Sequence, residues 1–289
     1  MLMSPLLDTF WPRLAAGKQW FVRTSSHLIN NMGQGRQTMR YGLSVALPAV
    51  LLLAPGAGLQ AAEVKVLATA ALSEAFKEIV PQFERASGHK LTVRYAASPV
   101  VIKQIEAGEP FDVAIAVSGP MNDAAKQGFF GAGERPAVSS VGLGVAVRAG
   151  APKPDMGSPE AFKRMLVNAK SVAILPESVN GKHFISVFER LGIGEEMKAK
   201  TKPQKEPPQV AEAVANGEAE LALFVSNLLL GVPGVDYAGL VPPEFQQTLV
   251  FTAGVGAKAK ELEAASAFIK HLRSPAAAAV IQAYGMETP

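Results

Sequence analysis

The chain contains no cysteine in its 289 residues. This absence excludes disulfide bonds, thiolate metal sites, cysteine nucleophiles and the lipid-anchored N-terminus of bacterial lipoproteins. Histidine is scarce as well, and no histidine stands at metal-ligand spacing from another histidine or a carboxylate. The four histidines are His27, His89, His183 and His271. The fold must therefore be stabilised by its hydrophobic core, which a chain of this length can build.

Motifs of catalysis and nucleotide binding are missing too. The sequence has no G-x-S-x-G nucleophile elbow, no P-loop and no G-x-G-x-x-G fingerprint. Gly142 and Gly144 flank a single residue, but the third glycine is absent and a predicted strand follows. We therefore expect neither an enzyme nor a cofactor. A hydrolase is the least favoured interpretation, because no pair of nucleophile and base can be named.

The net charge of +3 comes from the N-terminal part of the chain. Five of the 28 basic residues but only one of the 25 acidic residues lie within residues 1–62, so the remainder carries a net charge of −1. Such a balanced remainder gives no indication of a nucleic-acid partner. The lysine-rich stretch at 198–205 is interpreted as a solvated helix end and loop.

One long apolar run, residues 41–62, is present near the start of the chain. Arg36 and Arg40 precede it and small residues end it, which is the order of a secretory signal peptide. We expect cleavage near Ala62 and a periplasmic mature protein, with Met39 as an alternative start. A retained transmembrane anchor is the other interpretation, since the run is just long enough to span a bilayer. Its prolines and glycines favour cleavage.

Beyond residue 62 the hydrophobic pattern alternates between strands and helices. Short apolar runs typical of strands occur at 64–68, 91–95 and 112–117, and stretches with helical spacing of apolar residues separate them. This alternation predicts an α/β fold with a largely parallel sheet and right-handed crossovers.

A second α/β set follows the first. We expect residues 63–141 together with 249–289 to form one lobe and residues 142–248 to form another. The chain would then cross between lobes twice, with hinges near Ser140 and Ala253, and its two final helices would pack back on the first lobe.

Several predicted helices begin directly after a strand with small or hydroxyl-bearing residues. A helix N-terminus exposes unpaired N–H groups and carries partial positive charge, so it can hold an anion without a cationic side chain. Ser98 is the sharpest candidate, interpreted as the N-cap of its helix with Pro99 in the first turn. A plain capping role would also explain this serine. The candidate residues at other helix starts are Ala70, Ala71, Asn180 and Gly181.

Several longer stretches of the chain can be compared with the sequences of known protein families. The clearest are VKVLATAALSEAFKEIVPQFERASGHKLTVRYAASPVVIKQIEAGEPFDVAIAV and AFIKHLRSPAAAAVIQAYGMETP. With the shorter segments GVAVRAGAPKP, SPEAFKRML, VFERLGI and ANGEAELAL, they resemble the periplasmic molybdate-binding proteins of ABC importers over residues 63–289. The resemblance implies a type II clamshell of two α/β lobes, each a mixed, mostly parallel sheet flanked by helices. The lobes would close on a small anionic ligand and deliver it to a membrane permease.

The same resemblance assigns ligand positions residue by residue. Tetrahedral dianions are held in that family by hydroxyls and backbone N–H groups, and Ser98 matches the serine of the second helix. Ala71 stands where the family has another serine, so that hydroxyl is absent, and Thr69 and Ser73 are the nearest substitutes. Pro99 replaces a glycine and removes one N–H donor.

A third ligand position falls at the end of a later strand. The family's tyrosine aligns near Val225, which Ser226 and Asn227 follow. These departures indicate a divergent branch, with molybdate or tungstate as the best single candidate for the ligand. A receptor for a small organic anion and a membrane-anchored sensory clamshell are the alternatives. We expect a monomer.

Overall fold

The computed structural model describes residues 61–289. The predicted N-terminal extension and signal peptide, residues 1–62, therefore lie outside the described residues except for the last two. Among the residues described, no helix is long and apolar enough to cross a membrane.

Strands and helices alternate along the described chain as the hydrophobic pattern predicts. The strands are β1 (Glu63–Thr69), β2 (Lys90–Ala96), β3 (Val113–Val117), β4 (Ala137–Val141), β5 (Leu143–Arg148), β6 (Val172–Ile174), β7 (Thr201–Pro203), β8 (Leu221–Val225), β9 (Val235–Leu240) and β10 (Leu249–Val255). The helices are α1 (Ser73–Ser87), α2 (Ser98–Glu106), α3 (Ser118–Lys126), α4 (Pro159–Asn168), α5 (Val179–Arg190), α6 (Gly194–Lys200), α7 (Pro207–Ala215), α8 (Leu262–Leu272) and α9 (Pro275–Ala283). Short 3-10 turns occupy Ala70–Leu72, Ser226–Leu228 and Pro243–Phe245.

These strands form two five-stranded sheets. The first has the order β2-β1-β3-β10-β4 and the second the order β7-β6-β8-β5-β9. In each sheet one strand, β10 or β5, runs antiparallel to both neighbours, and the other four strands share one direction. The predicted architecture of two mixed, mostly parallel sheets flanked by helices is confirmed. We use "first lobe" for residues 63–141 with 249–289 and "second lobe" for residues 142–248, which is the predicted division.

The chain passes between the sheets at two places. The first passage is at Gly142, between β4 and β5, and the second is at residues 241–248, between β9 and β10. The hinge expected near Ala253 is wrong, because Ala253 lies inside β10 and pairs with Ile115 of β3. A buried strand and a buried crossing give the same apolar pattern, so the sequence did not separate them.

One side chain ties the two passages together. Gln246 accepts a hydrogen bond from the Leu143 N–H at 2.5 Å and donates through Nε2 to the Leu143 carbonyl at 3.0 Å. The same Nε2 lies 3.4 Å from the Val241 carbonyl. Gln246 therefore holds the second passage, residues 241–248, against Leu143 at the start of β5.

The closing helices pack back on the first lobe, as predicted. Phe268 of α8 contacts Phe76 and Phe83 of α1, with ring centroids 5.8 and 5.1 Å apart. All three rings are buried. Burying one such side chain stabilises a fold by about 1.5–3 kcal/mol, so this cluster anchors the C-terminal helices to the first sheet.

Candidate functional site

A small cavity lies between the two lobes. Its first-lobe wall comes from the turn after β1, the start of α2 and part of β10, and its second-lobe wall from the starts of α5 and α7 and the end of β8. The space open to the centres of water-sized atoms is about 30 Å³. One water needs about 10–15 Å³ on this measure, so the cavity suits a compact ligand of few heavy atoms.

Ser98 lies in the cavity wall and is 6% exposed. The prediction that it caps α2 is wrong, because Ala97 occupies the cap position and no side chain caps this helix. The Ser98 hydroxyl oxygen instead accepts a hydrogen bond from the Val117 N–H at 3.2 Å. A hydroxyl can accept and donate at once, so its hydrogen is available to a ligand.

The turn after β1 brings Thr69, Ala70 and Ala71 to the cavity. The Thr69 hydroxyl oxygen lies 3.5 Å from the Ala71 N–H and caps the 3-10 turn that precedes α1. Of the two substitute hydroxyls, Thr69 lines the cavity, whereas Ser73 lines a separate outer groove between the lobes. Thr69 is therefore the nearer replacement for the serine absent at Ala71.

The start of α5 supplies the second-lobe wall. Ser178 caps this helix by accepting from the Gly181 N–H at 2.9 Å, and it donates to the Leu175 carbonyl at 2.7 Å. Gly181 does not line the cavity, and a Cβ there would lie 1.8 Å from the Leu175 oxygen. Asn180 does line it, is 3% exposed, and its Nδ2 has no hydrogen-bond partner among the described residues.

Ser226 and Asn227 sit beside the cavity and do not line it. The Ser226 N–H donates to the Gly142 carbonyl at 2.9 Å, at the first passage between lobes. Asn227 donates through Nδ2 to the Ala71 carbonyl at 2.7 Å. The structure thus places Ser98, Ala70, Ala71 and Asn180 in the wall, and Gly181, Ser226 and Asn227 behind it.

Sequence reasoning did not identify the apolar part of the wall. Phe224, Leu228 and Phe251 lie in it although they belong to strands and a turn distant in sequence. No local pattern marks such residues, because tertiary packing alone brings them together. Pro207 also lines the cavity, and its place at the first position of α7 is a signal that could have been followed.

The electrostatics of the cavity come from backbone dipoles. Its lining side chains carry no formal charge, and the positive ends of α2, α5 and α7 meet there. Prolines remove N–H donors at the second position of α2 and the first two of α7. The side chains that can donate are those of Thr69, Ser98 and Asn180. This combination favours a small anion held by neutral donors.

The described part of the cavity wall is uncharged. Among residues 61–289, no Asp, Glu, His, Lys or Tyr side chain lines the cavity. Among the described residues, the groups with shifted pKa values lie elsewhere; burial raises the pKa of Tyr95, for example, to about 12 on β2.

Comparison with known proteins gives the family. Residues 64–287 match the bacterial extracellular solute-binding proteins. An aconitate isomerase from a Pseudomonas species is 30% identical over 228 residues, covering 77% of this chain and 86% of that protein. The molybdate-binding protein ModA of Azotobacter vinelandii is 31% identical over 252 residues, covering 81% and 96%.

The solved structures agree on the fold. The periplasmic molybdate-binding protein of Azotobacter vinelandii superposes with a TM-score of 0.67 at 22% identity, over 78% of this chain and 99% of that one. At 22% identity, this structural similarity shows the two-lobed fold alone. Taken with the sequence match over residues 64–287, it shows that the chain belongs to the bacterial extracellular solute-binding proteins, as a divergent member of the molybdate-binding branch.

Proposed function

We propose that this protein is the periplasmic receptor of an ABC importer and that it binds a compact tetrahedral oxyanion, such as molybdate or tungstate, between its lobes. The observation that carries the proposal is the cavity of about 30 Å³ that both lobes close. In this proposal the leader is removed on export, and the closed receptor hands its anion to a membrane permease.

The size of the cavity favours a tetrahedral oxyanion. A tetrahedral oxyanion is compact and nearly spherical, with four oxygens around one central atom. A cavity of about 30 Å³ on this measure favours so compact a ligand over a longer one. A six-carbon tricarboxylate would require the lobes to separate.

The chemistry of the wall supports the same class of ligand. Hydrogen bonds from neutral donors to a charged acceptor contribute about 1.5–3 kcal/mol each. The side chains of Thr69, Ser98 and Asn180 can supply several such bonds, and the helix starts add favourable dipoles. The absence of a cation from the wall avoids the desolvation that burying one would require.

A receptor for a small organic anion is the second candidate. The observation that favours it is the 30% identity, over 228 residues, to a protein named aconitate isomerase. Binding of aconitate would need an opened cleft, and isomerisation would need an acid or base that the wall does not contain. We therefore rank this candidate second, as binding without catalysis.

A thermal-shift series separates the two candidates. Molybdate, tungstate, sulfate, phosphate and cis- and trans-aconitate would each be added to the purified protein. At about 100 times Kd, a ligand stabilises the folded state by about 2.7 kcal/mol, and about 2–4 °C per kcal/mol is expected for a protein of this size. Stabilisation by molybdate or tungstate is the expected result. Stabilisation by aconitate alone would replace the proposal with the second candidate, and proton NMR of the aconitate mixture would then test for isomerisation.

A further inference from the structure

The two lobes are joined by very few polar contacts. Among the hydrogen bonds of the described residues, the bond from Asn227 Nδ2 to the Ala71 carbonyl oxygen, 2.7 Å long, is the one that joins the first lobe to the second. No ion pair within residues 61–289 connects the lobes. The closed arrangement therefore depends on this bond, on apolar contact and on whatever fills the cavity.

This hydrogen bond lies beside the cavity. Ala71, the acceptor, lines the cavity from the first lobe, and Leu228, the residue after Asn227, lines it from the second. Asn227 itself is 8% exposed. A ligand that changes the separation of the two walls must therefore change the length of this hydrogen bond.

The amide of Asn227 is only half satisfied. Its Nδ2 donates to Ala71, but its Oδ1 is buried and has no partner among the described residues. Opening the cleft would let water reach both atoms. Closure thus gains one hydrogen bond and leaves one acceptor unpaired, so we expect this amide to contribute modestly to closure.

The turn that carries Asn227 meets the first lobe at a second point. Gly285, after α9, has φ +74°, and a Cβ there would lie 2.6 Å from the Leu230 Cδ1 atom. Glycine is the residue that tolerates both this backbone conformation and this approach. Residues 227–230 therefore form the contact that the second lobe makes with the first beside the cavity.

We propose that Asn227 is a latch that makes closure depend on ligand size. A compact ligand lets the two walls meet, so the Asn227–Ala71 hydrogen bond forms. A larger ligand holds the walls apart and the bond is lost. The latch rests on the proposed function, since it presupposes a ligand between the lobes, and Asn227 acts as a positioning and specificity residue without touching that ligand.

The test begins without any ligand. The chain has no native cysteine, so Lys77→Cys and Lys205→Cys give one spin label on each lobe at exposed positions. Pulsed electron paramagnetic resonance would then measure the distribution of distances between the two spin labels in the wild type, in Asn227→Asp and in Asn227→Ala. Ser158→Ala is the matched control, because Ser158 makes its cap bond to the Ala161 N–H within the second lobe.

Asn227→Asp replaces the donor with a carboxylate facing a carbonyl oxygen. We expect its open population to rise at least tenfold relative to the closed one, and that of Asn227→Ala to rise roughly twofold to tenfold. Ser158→Ala should match the wild type. If Asn227→Asp does not fold, Asn227→Ala still gives the answer. Distances equal to the wild type in whichever variants fold would overturn the latch.

The dependence on size is tested with two named probes, molybdate and trans-aconitate, by calorimetry. Asn227→Ala should weaken molybdate binding by the factor by which it lowers the closed fraction, and should leave the affinity for trans-aconitate unchanged or raise it. Equal losses for both anions would overturn the selection by size. If neither anion bound the wild type, the proposed function would fail, while the ligand-free distances would still decide whether Asn227 holds the lobes closed.

Discussion

Replacing Ser98 by alanine should separate ligand binding from helix capping. The Ser98 hydroxyl lies in the cavity wall and accepts from the Val117 N–H at 3.2 Å, while α2 has no side-chain cap. The substitution therefore removes a donor from the cavity and leaves a buried strand N–H unpaired. The first loss acts on ligand affinity and the second on the free energy of unfolding, so the two effects can be predicted separately.

The loss of the cavity donor acts on affinity. A neutral donor to a charged acceptor is worth about 1.5–3 kcal/mol, so Ser98→Ala should weaken oxyanion binding by about tenfold to a hundredfold. The unpaired Val117 N–H acts on stability. It should reduce the free energy of unfolding by about 1–3 kcal/mol, which lowers the melting temperature by about 2–4 °C per kcal/mol in a protein of this size.

Ser274→Ala provides the matched control in the same lobe. Ser274 caps α9 by accepting from the Ala277 N–H at 3.3 Å, away from the cavity. Its loss should reduce stability by about 1 kcal/mol and leave affinity unchanged. Calorimetry and thermal unfolding of both variants would measure the two effects. Unchanged affinity in Ser98→Ala, or an equal loss of affinity in both variants, would refute a ligand-donating role for Ser98.

Substitutions at three further positions test the cavity wall, the core and the pH dependence of stability. Asn180→Asp exchanges an unpartnered donor for a negative charge in the wall, so oxyanion affinity measured by calorimetry should fall at least a hundredfold, and Asn180→Ala less. Asp112→Ala leaves the backbone N–H groups of Lys65 and Lys260, both 2.8 Å from its carboxylate, unpaired, so urea titration should show a loss of about 3 kcal/mol or more. Burial lowers the pKa of His271 below its usual 6.5, so the unfolded chain takes up a proton first as the pH falls. Stability should therefore be constant above about pH 7 and decline as the pH drops through 6.5, and His271→Phe should reduce this slope.

The sequence was a good guide to the elements because short apolar runs mark the buried strands and helical spacing of apolar residues marks the helices between them. The strand expected at 64–68 is observed at Glu63–Thr69, and the one expected at 112–117 at Val113–Val117. The second hinge was expected too far along the chain because β10 is buried along most of its length, so its apolar run does not show whether it is a strand or a crossing.

The candidate site was predictable only where a residue lies at the connection between a strand and the helix that follows it. Ser98 begins the helix after β2 in the first lobe and Asn180 lies in the first turn of the helix after β6 in the second, and the structure places both in the cavity wall. The hydrogen bond from Val117 to Ser98 was not predictable, because the partner of a hydroxyl is chosen by a neighbour 19 positions away. The latch from Asn227 to Ala71 spans 156 positions and two lobes, beyond any local pattern.

Prolines stand in the first turns of two helices that begin at the cavity wall. The dipole of a helix depends on its whole backbone, so Pro99 and Pro207 leave the positive ends of α2 and α7 in place. They do remove the N–H groups that would orient a ligand at those ends. The positive helix ends therefore remain at the wall, and the proposed donors to an anion there are side chains such as those of Ser98 and Asn180. In such a wall a few donors, together with the space left when the lobes close, set both the affinity for an anion and the preference among anions. Single substitutions at Ser98 or Asn180 should therefore lower affinity, and by unequal factors for anions of different shape.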